Sequence, residues 1–209
     1  LLYGKQKRFE AAESYFYTNA SIVESKLGKN NATYAAAIMS WAWSLLEQGR
    51  FEASENLLQE SKSIFESLPD YEKIPSYMSL MEFFGSYYHL TKQYEASEYY
   101  HLRSKSLRAA SLGKDHLSCE MSLAYLSDLY TETAQIEKAA AAFAEGSALR
   151  RSHLSDASRH FSEKEVYSFT SLFEGTLYKH FSFAKDFSSQ VPYFAGTCFD
   201  NILFYKGFL

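Results

Sequence analysis

The 209 residues carry a formal charge of −4, with 46% hydrophobic and 22% charged side chains, an ordinary soluble globular balance with chain enough for a sizeable core. Mild acidity argues against duplex nucleic acid as a partner, since phosphate binding needs clustered Lys and Arg, and no stretch reaches the roughly 20 apolar residues of a membrane helix. The opening LLYGKQKRFEAAE lacks the apolar core and cleavage site of a secretory signal, and Cys119 and Cys198 are far apart, so the expected setting is a reducing cytoplasm.

In chain order, the N-terminus reads as the tail of a helix already under way, leading into RFEAAE at 8–13. The phrase returns as RFEASE at 50–55 and QYEASE at 93–98, and QIEKAA at 135–140 extends the series. Phe9, Phe51, Tyr94 and Ile136 are thereby spaced by 42, 43 and 42 residues, and LGKN at 27–30 lies 85 residues before LGKD at 112–115. Two markers with one period predict a repeat protein. In the second unit, helix A is expected over 33–47, with Ala35, Ile38, Ala42 and Leu45 at helical spacing. Gly49 then supplies a left-handed turn residue, and helix B is expected over 51–68, before Pro69. Phe51, Leu58 and Phe65 form one stripe on helix B. A single helix pair cannot bury that stripe, whereas stacked pairs can. No run shows the two-residue alternation of a surface strand, so the fold class is all-α.

The period then breaks. A fifth unit would turn at 178–179, yet the string EKEVYSFTSLFEGTLYKHFSFAKDF has no breaker there. Ser162 and Glu165 form a capping box at its start, and the helix is expected to reach about Phe187. Pro192 suits the first turn of a final helix over 192–209. Phe194, Phe199, Ile202, Leu203 and Phe208 make that helix too apolar for an exposed cap. It either folds back on the array or covers something that follows. The expected organisation is an array of about four units over 1–161, the first truncated, and a helical extension over 162–209.

These residues resemble the tetratricopeptide repeat (TPR). In that family an aromatic opens helix B, followed at set intervals by a small residue, a large one and another small one. Here the series are Phe9, Ala12, Phe16, Asn19; Phe51, Ser54, Leu58, Ser61; Tyr94, Ser97, His101, Ser104; and Ile136, Ala139, Phe143, Gly146. Phe84-Gly85 and Tyr88 fit helix A of the third unit. The long period and the LGKDH linker at 112–116 are similar to the kinesin-light-chain subtype. The resemblance implies an α-α superhelix, a TPR solenoid of antiparallel helix pairs, followed by a non-repeat helix pair.

The C-terminal pair resembles the segment joining bacterial TPR arrays to CHAT domains, the caspase- and separase-like cysteine proteases. FSEKE at 161–165 and AGTCFDNILFYKGFL at 195–209 carry the likeness, through Ala195, Gly196, Asp200, Asn201, Leu203, Lys206 and Gly207. The catalytic Cys and His of that family would lie downstream. Neither Cys119 nor Cys198 matches the surroundings of the catalytic cysteine.

Other chemistry is sparse. His116 and Cys119 have H-x-x-C spacing but no second ligand pair, and read as structural. His180 and Cys198 lie on adjacent expected helices, where a Cys-His nucleophile competes with simple burial of a free thiol. The basic stretch ALRRSHLSDASRH at 148–160, with Arg150, Arg151 and Arg159, reads as a solvated face and loop. The many Tyr and Phe read as packing rather than base stacking. No metal site and no cofactor are expected.

Family groove positions carried over by the resemblance give Met39, Trp43 and Glu47 in the second unit, Glu82, Ser86 and His89 in the third, and Ala124, Asp128, Thr131 and Glu132 in the fourth. Carboxylate-clamp TPR domains use Lys, Asn and Arg at such positions. This set is acidic, with Met39 and Trp43 as apolar anchors, and fits a partner of basic or polar-apolar character. The competing reading buries Trp43 and leaves the acids facing water. The functional expectation is a non-catalytic scaffold for a protein or peptide, the regulatory or targeting region of a CHAT protease protein. Its partner would include a downstream domain of the same chain. A stand-alone peptide-sensing regulator is the alternative, and an enzyme in its own right the third reading.

Overall fold

The computed structural model describes residues 2–160, 162, 164–165 and 174–206, with the side chains of 11–156, 159–160, 162, 164–165 and 178–205. Its regular elements are α1 (Leu2–Leu27), α2 (Ala32–Glu47), α3 (Phe51–Glu66), a 3-10 turn (Tyr71–Lys73), α4 (Pro75–Leu90), α5 (Tyr94–Leu112), α6 (Ser118–Glu132), α7 (Ile136–Ser158), α8 (Glu174–Phe187) and α9 (Phe194–Lys206). No strand occurs among the described residues. The chain divides into two compact units, Leu1–Ser111 and Leu112–Leu209.

Local chemistry starts and stops the helices. Asn31 caps α2 by accepting the Tyr34 N–H at 2.9 Å, which satisfies one of the otherwise orphaned amides of the first turn. Pro75 opens α4, where its missing N–H costs nothing. The turn from helix A to helix B has one form throughout. Gly49 N–H donates to Leu46 O at 2.9 Å and Arg50 N–H to Leu45 O at 3.0 Å, with Gly49 at φ +74°, a Schellman cap. Lys92 and Ala134 occupy the same position in the next two units, at φ +61° and +56°.

Helix pairing repeats in its hydrogen bonds. Ser54 Oγ donates to Ala42 O at 2.8 Å and Ser61 Oγ to Ala35 O at 2.9 Å, which sets α2 and α3 antiparallel. One period later Ser97 Oγ donates to Gly85 O and Ser104 Oγ to Met78 O, both at 2.9 Å. These four serines are fully buried, so the small side chain lets the helices approach while its hydroxyl is satisfied. In the fourth unit Ala139 and Gly146 hold the serine columns and make no such bond.

The first unit closes around one core in which Ile38, Leu58, Phe65, Leu80, Met81 and Phe84 are almost wholly enclosed. Phe84, Tyr88 and Tyr100 stack there at centroid distances of 4.9–6.3 Å. Tyr77 Oη donates to Glu66 at 3.0 Å and Tyr87 Oη to Glu55 at 2.7 Å, fastening α4 to α3 at both ends. In the second unit α6 and α7 pair, and α9 packs on both α7 and α8. Phe143 of α7 meets Phe183 of α8 at 5.0 Å and Phe194 of α9 at 5.9 Å.

Three expectations change. No turn precedes the first phrase at 8–13, because α1 runs unbroken through it; the string Lys5 to Arg8 is made of good helix formers. Pro192 lies in a turn two residues ahead of α9, since Phe194 N–H bonds to Val191 O and the helix begins there. Of its two stated alternatives the final helix takes the first, folding back on α7 and α8, but it buries Phe194 while Phe199 and Leu203, read as too apolar for an exposed cap, are more than half exposed. As expected, α8 passes through 178–179 without a turn. Glu165 reaches back to the Ser162 N–H at 2.9 Å and accepts its hydroxyl at 2.7 Å. Phe161, Glu163, the stretches 166–173 and 207–209, and the side chains of Phe9 and Lys206 lie outside the described residues.

Candidate functional site

In the first unit the carried-over positions fall at several depths. Met39 is buried in the core, and Trp43 is half-buried, stacked on Phe83 at 4.6 Å and 29°. Glu47 is exposed. Glu82 is 7% exposed and accepts Arg108 Nη2 at 2.8 Å, a shielded pair in which each charge depends on the other. Ser86 is buried, and His89 is half-buried with its ring edge-on to Tyr94 at 6.0 Å.

In the second unit Asp128, Thr131 and Glu132 line one side of a cleft between α6 and α8, with Ser182, Asp186 and Lys179 opposite. Its volume is about 330 Å³, and Phe143, Phe183 and Phe187 line its apolar part. Lys179 Nζ donates to Asp128 at 2.7 Å across it, while Thr131 Oγ1 donates to its own helix at Ser127 O. Glu132 is exposed. Ala124 of the same set lines a second cavity of about 180 Å³, which shares Asp128, Phe143 and Lys179 with the cleft. Leu123, Ala142, Phe143 and Gly146 supply its apolar walls. Arg150, only 3% exposed, donates to Glu120 beside it.

A buried polar knot adjoins that cavity, and two of its members, Ser147 and His180, belong to the cavity lining. Arg151 donates to Asn201 Oδ1, and because arginine only donates, the amide must turn its NH₂ the other way. Asn201 Nδ2 then donates to Ser147 Oγ at 3.2 Å and to His180 Nδ1 at 3.3 Å. His180 Nδ1 is therefore an acceptor and the ring proton sits on Nε2. Burial, with the nearby cations Arg150, Arg151 and Lys179, pushes the His180 pKa down to about 4, so the ring is neutral at pH 7. The knot ties α7, α8 and α9 together.

Several single-residue readings resolve here. Cys198 Sγ donates to the His180 backbone O at 3.5 Å rather than to its ring, and burial pushes the thiol pKa up, the reverse of an activated nucleophile. His116 Nδ1 accepts the Ser118 N–H at 3.1 Å at the start of α6, and Cys119 is buried. Among the described residues no three His, Cys, Asp or Glu side chains converge as a metal site. The basic stretch is a correction. Arg150 and Arg151 turn inward from α7 to Glu120 and Asn201, and only Arg159 keeps to a solvated face, beside Asp156 at 3.6 Å. Sequence reasoning did not reach Glu120, Arg150, Ser147 or Asn201 as neighbours. The one signal was Gly146 standing where two preceding units have serine.

No protein-family model matches the sequence, and no curated protein matches it. Solved structures do. A Podosopora anserina protein, described as a kinesin light chain with nearly identical TPR-like repeats, superposes with a TM-score of 0.64 at 14% identity, covering 99% of this chain and 89% of the other. A second crystal structure of that protein, a single-substitution form, gives 0.62 at 15% identity, covering 99% and 87%. Such a likeness at low identity speaks to backbone architecture alone. The chain has the fold of a TPR-like helical repeat protein, an α-α superhelix.

Proposed function

We propose that this chain is a non-catalytic interaction scaffold whose α6–α8 cleft holds a segment of a partner protein carrying Lys or Arg beside apolar residues. The observation that carries the reading is the composition of the cleft: three carboxylates, Asp128, Glu132 and Asp186, against the single lining cation Lys179, which pairs with Asp128, around an apolar part made by three phenylalanines. Cations near such carboxylates gain affinity and approach rate, and the phenylalanines reward an adjacent apolar side chain. The half-buried Trp43–Phe83 pair, with the exposed Glu47 and the half-buried His89, belongs to the same proposal as a second contact surface, with Met39, Glu82 and Ser86 of that set buried beneath. Non-catalytic action agrees with His180 being held neutral in a buried hydrogen-bond knot and with burial raising the Cys198 thiol pKa.

The finer reading makes this the regulatory or targeting part of a cytoplasmic bacterial CHAT protease protein, with an array over 1–161 and an extension over 162–209. FSEKE at 161–165 and the motif at 195–209 support it. The buried Asn201 of that motif hydrogen-bonds α9 to both α7 and α8. No described helix is long and apolar enough to cross a membrane.

The test is binding to an array of twelve-residue peptides graded from basic-apolar to acidic. Basic-apolar peptides should be retained, with an affinity that falls as salt rises, and Glu132→Lys with Asp186→Lys should weaken them by at least about tenfold. Equal retention of acidic peptides, or indifference to both reversals, would count against the cleft. For the CHAT reading, cleavage by the longer protein is compared with and without the array; unchanged rate and substrate choice would defeat it.

A further inference from the structure

The second cavity lies beside a break in the serine columns. Ser61 and Ser104 each bridge to the facing helix one period apart, at Ala35 O and Met78 O. Their successor is Gly146, opposite Glu120. A Cβ on Gly146 would find its nearest neighbours, Glu120 Cγ and Leu123 Cβ, at 3.7 Å, ordinary contact distance. A side chain is thus sterically welcome there, and glycine within a helix is unfavourable relative to alanine or serine. The cavity that Gly146 borders has a volume of about 180 Å³, somewhat more than a dry cavity that admits benzene.

We infer that this cavity is the specificity pocket of the α6–α8 cleft and receives a tyrosine side chain of the bound segment. The inference rests on the cleft being the partner site. The apolar walls from Leu123, Ala142, Phe143 and Gly146 suit a ring, and the carboxylates of Glu120 and Asp128 at the lining, each holding one cation (Arg150 and Lys179), keep further acceptor lone pairs for a phenolic hydroxyl. The protein already uses that pairing to join helices, in Tyr77 with Glu66 and Tyr87 with Glu55. An aromatic body with one donor at its tip is the shape and polarity such a pocket selects.

The experiment uses the whole chain and p-cresol as the probe, followed by NMR. Saturable binding with a Kd on the order of 1 mM is expected for a ligand this small, with intermolecular NOEs from its ring to the methyl groups of Leu123 and Ala142. Toluene should bind at least about fivefold more weakly, because it lacks the donor. Gly146→Leu should fill the pocket and weaken p-cresol at least about tenfold, while Gly146→Ala should retain binding and raise Tm. Absence of saturable binding, NOEs elsewhere on the protein, toluene equal to p-cresol, or full binding by a folded Gly146→Leu variant would each overturn the pocket. Should Gly146→Leu not fold, the NOEs decide the question. If p-cresol fails but basic-apolar peptides still bind in a manner sensitive to Glu132 and Asp186, the cleft stands and only the pocket falls.

Discussion

The His101 imidazole lies over the Cα of Gly85, so close that a Cβ there would stand 2.5–2.6 Å from three ring atoms. One period earlier the same two columns hold Ala42 and Leu58, both fully buried. The glycine of one unit thus answers the ring of its partner helix. Gly85→Ala should destabilise the protein by about 2–3 kcal/mol through overpacking. His101→Leu, which restores the residue of the preceding unit, should recover most of that loss in the double variant. Urea midpoints with unchanged slopes would measure the cycle; simple additivity of the two changes would show that the ring contact is not the cause.

Two buried histidines make the fold acid-sensitive. Burial, then the charge of His89, pushes His101 down to about 3, and burial with the surrounding cations pushes His180 down to about 4. Both lie below the unfolded value of roughly 6.5. Below that value the unfolded chain binds protons that the folded chain refuses, so the stabilisation is complete above it and drains away as pH falls. Each histidine should contribute a slope of roughly 1.4 kcal/mol per pH unit between pH 6 and 5. Unfolding free energies measured at pH 7, 6 and 5 test this, and His101→Leu should remove its share of the slope.

The helix-turn positions offer a gain in stability. Lys92 and Ala134 hold positive φ where the preceding repeat has Gly49, and an L-residue there carries roughly 1 kcal/mol of strain. Ala134→Gly and Lys92→Gly should each stabilise the chain by about 0.5 kcal/mol after the extra entropy of glycine in the unfolded state. Gly49→Ala should cost about 1 kcal/mol. Scanning calorimetry would read the three shifts, and a stabilising Gly49→Ala would refute the account.

The polar knot should hold the C-terminal pair. Asn201→Ala leaves Arg151, Ser147 and His180 without the amide that joins them, a loss of about 2 kcal/mol. Amide exchange in α9 should then accelerate by roughly 30-fold, while α2 and α3 keep their rates. Equal acceleration in both places would mean the knot supports the whole chain.

Much of the architecture follows from sequence alone. A phrase returning every 42–43 residues is a statement about helix pairs, because each pair exposes one stripe that only its neighbours can cover. The repeated serines announce close approach even before their hydroxyl bonds are seen. Periodicity does not say how deep a given position lies. Met39 and Glu82 read as groove residues yet lie buried, the second against Arg108, and the arginines at 150 and 151 turn inward where a solvated face was expected. A step of one residue rotates a helix position by about 100°, so small shifts exchange core for surface. The cavity beside Gly146 and the knot around Asn201 draw on side chains from α6, α7, α8 and α9, separated by tens of residues. Their meeting is decided by how the helices pack, since contact between distant side chains is a property of rigid bodies and not of any local run of amino acids.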